Sequence, residues 1–403
     1  MFLTVFMKFL QNHVLISLLF LILVFTCIYF WNYIRVCYYV SKLPGPPAYP
    51  IIGNAKLFLG SHQEITHKFI NIAGEYQQTM FRVWFGPFPI IGISNPDIVQ
   101  ELLTNEHVLE KAYLFKLAWN PVMGKSILTS EVPEWKHHRS IIIRGFTPII
   151  LKSYFKNVIN NNELINVKAI NSNVYKKPFL DYLMDFTKNN SNFTEEQLRN
   201  ETNLMIFAGY ETTAISLSYV LLHLAVYKDI QTKLYNEILE VVGDINVDSI
   251  NVDDLPRLKY MDMVLKESMR IISTIPVISR EASKDIKIGN YTIPKGTNIL
   301  IPIFTIHRNP EYWENPLKFD PERFTAENIK NRHPYVYIPF GAGPRNCIGG
   351  RYAWIFMKTT LVALLSRYEF HTDINLDTLQ FEAAISMKLI NGYPVRITPR
   401  YKP

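Results

Sequence analysis

The chain has 403 residues, 48% of them hydrophobic, with 42 Lys and Arg against 35 Asp and Glu. That is enough apolar residue for a large core, though length alone leaves the number of domains open. The basic residues are scattered and no basic run reaches five residues, so a mildly basic docking face is expected and nucleic acid is not a partner. Three cysteines, Cys27, Cys37 and Cys347, form no CxxC pair. This argues against a disulfide scaffold or zinc site, and suits a reducing compartment for the part carrying Cys347.

Residues Val14 to Trp31 carry no charge, and at about 1.5 Å per helical residue they cover roughly the thickness of a bilayer core. Tyr29, Phe30, Trp31 and Tyr33 make an aromatic end suited to a membrane interface, unlike the small-residue cleavage site of a signal peptide. Residues 1–35 are therefore expected to be an uncleaved anchor, and the balance of Lys8 against Arg35 and Lys42 places the bulk of the chain in the cytosol. A proline-rich hinge over 36–48, centred on Leu43-Pro44-Gly45-Pro46-Pro47, cannot continue a helix. Residues 49–403 then form one domain.

Met80 to Phe85 and Pro89 to Ser94, separated by Gly86-Pro87, read as a β-hairpin. Thr194-Glu195-Glu196-Gln197 has the pattern of a capping box, and no proline follows until after Tyr227, which predicts one long helix. Its middle, Leu204 to Leu224, is apolar on nearly every face and is expected to run through the core. A second helix starts with Pro256 near its first turn and carries Met261, Val264, Leu265, Met269 and Ile272 on one stripe. Ile286 to Ile293 turns at Gly289-Asn290 as a hairpin, and Arg351 to Arg367 forms a third helix. There is no internal repeat.

The segment Phe340-Gly341-Ala342-Gly343-Pro344-Arg345-Asn346-Cys347-Ile348-Gly349 carries the most information. Its glycines permit positive φ and let backbone approach a flat ligand closely. Cys347 just precedes a helix start, where the dipole favours a thiolate. A thiolate is the axial donor that a haem iron needs if oxygen is to be cleaved, and Arg345 has the reach and charge to pair with a haem propionate. A lone cysteine in a glycine-rich turn is more often structural, but five fixed positions of FxxGxRxCxG arise by chance at roughly one in ten thousand in a chain this long.

With these residues the chain resembles the cytochrome P-450 family, microsomal type, closest to the family-four group. The resemblance implies a mainly α fold with small β-sheets, the all-α haem-thiolate class, behind an N-terminal transmembrane anchor. Cys347 would be the axial ligand of a haem b iron, with Phe340, Arg345 and Gly349 in its loop. Ala208-Gly209-Tyr210-Glu211-Thr212-Thr213 matches the family's oxygen-binding groove. There Ala208 and Gly209 lie against haem, and Glu211 and Thr212 act as the catalytic acid and alcohol that relay protons. Outside this context, a Glu-Thr pair in a helix is usually a satisfied polar kink. Trp135-Lys136-His137-His138-Arg139 matches the WxxxR helix, so Trp135, Arg139 and the downstream Arg280 are implied propionate partners. Adjacent His137 and His138 diverge by about 100° on a helix and so are expected to be solvated or to face a partner.

Glu267 and Arg270, one helical turn apart, read by themselves as a surface ion pair. The resemblance makes them, with Arg323 of Pro321-Glu322-Arg323-Phe324, a buried structural triad. Many family-four members carry a Glu that tethers haem covalently where this chain has Ala208, so haem here would be non-covalent.

The implied activity is a monooxygenase that inserts one oxygen atom from O2 into an apolar substrate such as a fatty acid, hormone or xenobiotic. Electrons would come from NADPH through NADPH-cytochrome P-450 reductase, with cytochrome b5 as a further partner, at the endoplasmic reticulum membrane among its lipids. The glycosylation sequons at Asn189, Asn192 and Asn200 should then be silent. One departure stands out. Trp135 and Ala208 are 73 positions apart, whereas the family has on the order of a hundred more residues there, close to a domain's worth of chain. The deletion falls near 156–178, in the region the family uses to roof its substrate pocket. A truncated, catalytically inactive remnant is therefore the competing reading.

Overall fold

The computed structural model describes residues 2–49, 51–147, 150–151, 179–189, 193–243 and 251–400. The segment near 156–178 and the sequon at Asn192 lie outside them. Helix α1 runs from Phe2 to Ser41. The side chains of Val14 to Phe25 described along it are open, Phe25 at 74%. The helix continues through residues expected to belong to the hinge, because Val40 is fully buried against the sheet and packing outweighs the approach to Pro44. Leu43 to Pro47 lies outside the helix, as its prolines require, and is held against the sheet. Leu43 is buried, Arg82 N–H donates to Pro44 O at 2.8 Å, and the Arg82 guanidinium donates to Leu43 O.

Strands β1 (Met80–Phe85) and β2 (Phe88–Ile93) form the expected hairpin. β2 pairs in parallel with β6 (Asn298–Ile301), which pairs antiparallel with β3 (Ile278–Glu281). The order β1-β2-β6-β3 makes one four-stranded sheet. β4 (Ile286–Ile288) and β5 (Tyr291–Ile293) form a separate hairpin through Gly289, whose φ of 52° suits a residue without a Cβ. Two further pairs follow, β7 (Tyr368–His371) with β10 (Arg396–Pro399) and β8 (Phe381–Ala383) with β9 (Met387–Leu389).

The rest is helical: α2 (His62–Glu75), α3 (Pro96–Thr104), α4 (Tyr113–Met123), α5 (Val132–Ile142), α6 (Phe179–Asn189), α7 (Glu195–Val226), α8 (Lys228–Val242), α9 (Lys259–Ile271) and α10 (Gly350–Arg367). The capping box of α7 forms in both directions, Gln197 N–H to Thr194 Oγ1 and Thr194 N–H to Gln197 Oε1. Pro256 falls in a separate 3-10 turn, and α9 begins only at Lys259, because Leu258 leaves helical geometry at ψ 76°. The main core joins the second half of α7 with α8, α9 and α10 through Val220, Leu234, Leu265 and Leu361.

The first half of α7 departs from the expectation. Leu204 and the run from Ile215 to Ala225 pack inward, but Ile206 is 64% exposed and Tyr210 73%. An apolar middle shows that something should cover it, not that the chain itself does so. The start of α6 lies against the end of α5 and the turn that follows it. The Phe146 and Phe179 rings are 5.5 Å apart and Tyr182 donates to Ile141 O at 3.1 Å.

Candidate active site

The cysteine loop is built by backbone. Gly341 and Gly343 have φ of 69° and 72°, Cys347 N–H donates to Phe340 O at 2.9 Å, and Gly341 N–H donates to Ile338 O at 2.9 Å. A Cβ on Gly343 would lie well inside 3.0 Å of the Leu103 carbonyl, so this glycine is required by close approach as well as by φ. Phe340 closes the loop against Gly350 and Trp354. Cys347 is open at the surface. Even so, its crowded surroundings push the thiol up, against the Gly349 and Gly350 N–H groups and Arg139, which pull it down. The helix start alone thus does not make a thiolate here as expected. A bound metal would, because a coordinating thiol is deprotonated outright.

Behind the loop stands the triad. Arg270 forks onto Glu267 through Nε at 2.7 Å and Nη2 at 2.9 Å, both residues fully buried. Arg323 Nε lies 3.3 Å from Glu267 Oε1 as an ion pair, without the angle for a hydrogen bond. Asp320 N–H also donates to Glu267 Oε1 at 2.9 Å. Burial pushes the Glu267 carboxyl up while these partners pull it down. A line of bonds leads on to the loop. Arg270 Nη1 donates to His307 O at 2.9 Å, and His307 Nε2 accepts Ile338 N–H at 2.8 Å. An ordinary surface ion pair is excluded by that burial.

A group of cations gathers beside α5. Trp135 is 3% exposed, with the Arg345 guanidinium 4.8 Å and the Arg139 guanidinium 5.9 Å from its ring centre. Arg139 donates to Asn346 O at 2.9 Å and Asn346 Oδ1 at 2.6 Å, so its guanidinium grips the cysteine loop directly. Arg345 donates to Ser130 O at 2.5 Å, while its Nε and Nη1 are buried with no partner. Arg280 is 2% exposed and donates to the carbonyl of its own neighbour, Ser279. Among the described residues neither Arg280 nor Arg345 has a carboxylate within ion-pair distance.

Burial lowers the Arg280 pKa to about 10, and burial followed by the nearby Arg280 lowers Arg345 to about 9. Lys111, which no motif marked, belongs to the same group, its pKa pushed well down by burial and then by Arg280 and Arg345. Buried like charges without a counter-ion are costly. The cluster therefore calls for an anion, and two carboxylates of one flat ligand meet that need.

On α7 an added Cβ at Gly209 would find nothing within 4 Å, and Gly349 of the cysteine loop is equally open. Gly209 in a helix interior costs about 1 kcal/mol relative to Ala, so its open face is what a closely approaching ring would use. Ala208 is exposed beside it. Thr212 Oγ1 donates to Ala208 O at 2.6 Å, whereas Glu211 is 2.5 Å from Lys388 Nζ. His138 corrects another expectation. It is neither solvated nor facing a partner, but fully buried with Nδ1 2.6 Å from the equally buried Glu201 Oε1. Nothing in the local pattern of α5 marks a partner 63 residues away. The chemistry of the residues present fits haem: an exposed thiol, an open glycine on a helix face, and a group of cations short of a counter-charge.

The Cytochrome P450 family model matches residues 43–174 and 151–390. The chain is similar to Cytochrome P450 4c21 of Blattella germanica, 27% identical over 83% of this chain and 88% of that protein. It is 25% identical to Cytochrome P450 4V2 of Mus musculus over 88% and 89%. It is 24% identical to Cytochrome P450 4g1 of Drosophila melanogaster over 90% and 89%. The last alignment runs to 500 positions against 403 residues, leaving at least 97 positions that face no residue of this chain. The family model covers most of the chain, the cysteine loop and α7 included, and the chain belongs to the cytochrome P450 family.

Proposed function

We propose that this chain, a haem-thiolate monooxygenase by family, holds a non-covalent haem b through Cys347. The reading makes Trp135, Arg139, Arg280 and Arg345 the propionate side and Ala208, Gly209, Glu211 and Thr212 the distal side. The observation that carries it is the buried Arg280 together with Arg345, whose guanidinium lies over Trp135 with Nε and Nη1 buried and unpartnered, neither arginine having a carboxylate at ion-pair distance among the described residues. Thiolate-bound haem supplies the activation of dioxygen. This chain's part is to hold the ring between its loop and α7, to neutralise the propionates, and to place Glu211 and Thr212 where protons enter. Glu267, Arg270 and Arg323 act at a distance by fixing the segment that leads to the loop.

Electrons come from NADPH by way of NADPH-cytochrome P-450 reductase, with cytochrome b5 as a second donor, and the substrate is an apolar small molecule. α1 is a membrane anchor, supported by a span of mean hydropathy 2.7 with open side chains, and endoplasmic reticulum is the proposed site. The family match in two overlapping pieces and the unfilled alignment positions support an internal deletion near 156–178 within one catalytic domain over 49–403.

The competing reading is a haem-binding remnant that performs no turnover, favoured by the exposed Ile206 and Tyr210 on the distal side. Haem analysis and oxygen consumption separate the two. The purified chain should carry one haem, all of it extractable by acidic butanone, and Cys347→Ala should carry almost none. Oxygen uptake with NADPH and reductase then marks an enzyme, whereas haem without uptake marks the remnant. A chain without haem contradicts both.

A further inference from the structure

The β8–β9 hairpin touches two different spaces. In β9, Met387 and Leu389 are buried while Lys388 between them is half-buried, and neighbours in a strand point to opposite faces. Met387, with Ala383 of β8, lines an apolar pocket walled also by Phe58, Ile70, Pro276 and Val277. Lys388 crosses to α7 and lies 2.5 Å from Glu211 Oε1. It is the one cation paired with Glu211 among the described residues. The hairpin backbone is tied down on either side of this contact. Tyr219 donates to Met387 O at 3.1 Å, Met387 N–H donates to Thr274 O at 2.8 Å, and Thr274 and Ser216 share a hydroxyl bond at 2.7 Å.

The orientation of Glu211 is thus decided outside its own helix. Thr212 bonds back to α7 through Ala208 O, but the acid beside it is held by a cation from another element. The Glu211 bond in turn raises the Lys388 pKa, which keeps that cation charged.

We propose that Lys388 is a positioning residue for the proton relay, its ammonium holding the Glu211 carboxylate toward the β8–β9 hairpin, whose backbone Tyr219 and Thr274 fix in place. This rests on the reading of Glu211 and Thr212 as the relay at a haem. The ion pair is tested without haem by a water-soluble carbodiimide on the full chain in detergent. A Lys388–Glu211 isopeptide bond is expected in the tryptic digest, and its absence overturns the proposal. The positioning role is tested in the haem-loaded, reduced, carbon monoxide complex by the C–O stretching band in infrared.

Lys388→Met should shift or split the band, Lys388→Arg should restore it, and Lys388→Met added to Glu211→Gln should change nothing further. A band unmoved by Lys388→Met, or moved equally in the Glu211→Gln background, overturns the role. Thermal unfolding of the same variants identifies a merely structural effect, which would lower stability and leave the band in place. If the thiolate-type Soret band of the carbon monoxide complex is missing, the haem reading itself fails and the role falls with it. The isopeptide result then still reports on the pair alone.

Discussion

Replacing Gly343 and Gly341 separately by alanine separates two reasons for glycine in the cysteine loop. Both residues sit near φ +70°, where a side chain costs about 1–2 kcal/mol. At Gly341 the nearest atom to an added Cβ is Asn346 Cα at 3.9 Å, an ordinary contact, so Gly341→Ala should lose only that amount. At Gly343 the Cβ would overlap the Leu103 carbonyl. That carbonyl belongs to α3, whose Leu102 and Leu103 are buried, so it has little room to retreat. Overpacking adds about 1–3 kcal/mol, giving roughly 2–5 kcal/mol for Gly343→Ala. Denaturant titration of the full chain in detergent, with haem content measured alongside, reads both. Equal losses for the two variants would refute the close-approach argument.

Gly209→Ala should stabilise the haem-free chain by about 1 kcal/mol through helix propensity, yet weaken haem retention, since the methyl fills space open in the protein alone. Haem affinity unchanged by the methyl would show that nothing packs there. Glu267→Gln leaves Arg270 buried without its counter-charge and should cost about 3–5 kcal/mol, read by thermal unfolding. A loss under 1 kcal/mol would place the triad at the surface. Acid should weaken the fold through His223 and His307, whose pKa values burial lowers to about 3. The unfolded chain binds more protons below pH 6.5. Stability is thus complete above that value and falls toward pH 3 by up to about 1.4 kcal/mol per pH unit for each histidine. Because His307 Nε2 accepts Ile338 N–H, His307→Gln should flatten part of this slope, and an unchanged slope would point to other groups.

Local chemistry made much of this molecule readable. The capping box before α7 and the Gly289 turn are decided by residues a few positions apart and form as expected, and Gly341 and Gly343 shape the loop around Cys347 at positive φ, though the local pattern did not foretell that the thiol is pushed up. Contacts between distant elements were not readable. Nothing near His138 announces Glu201, and nothing near Glu211 announces Lys388 from a hairpin far downstream. Lys111 joins the arginine cluster only because the sheet and the cysteine loop meet there. The start of α9 slipped past Pro256 because Leu258 breaks the helix first. The apolar middle of α7 reports a need for cover and not what supplies it. In this chain the residues from Ile215 onward meet that need, while Ile206 and Tyr210 stay open.

The most direct test of the haem-thiolate reading is the absorption spectrum of the reduced full chain under carbon monoxide. The account predicts a Soret band at about 450 nm, which requires a thiolate opposite the gas, and its loss in Cys347→Ala. A band at about 420 nm, or none, would contradict the assignment of Cys347 as the ligand.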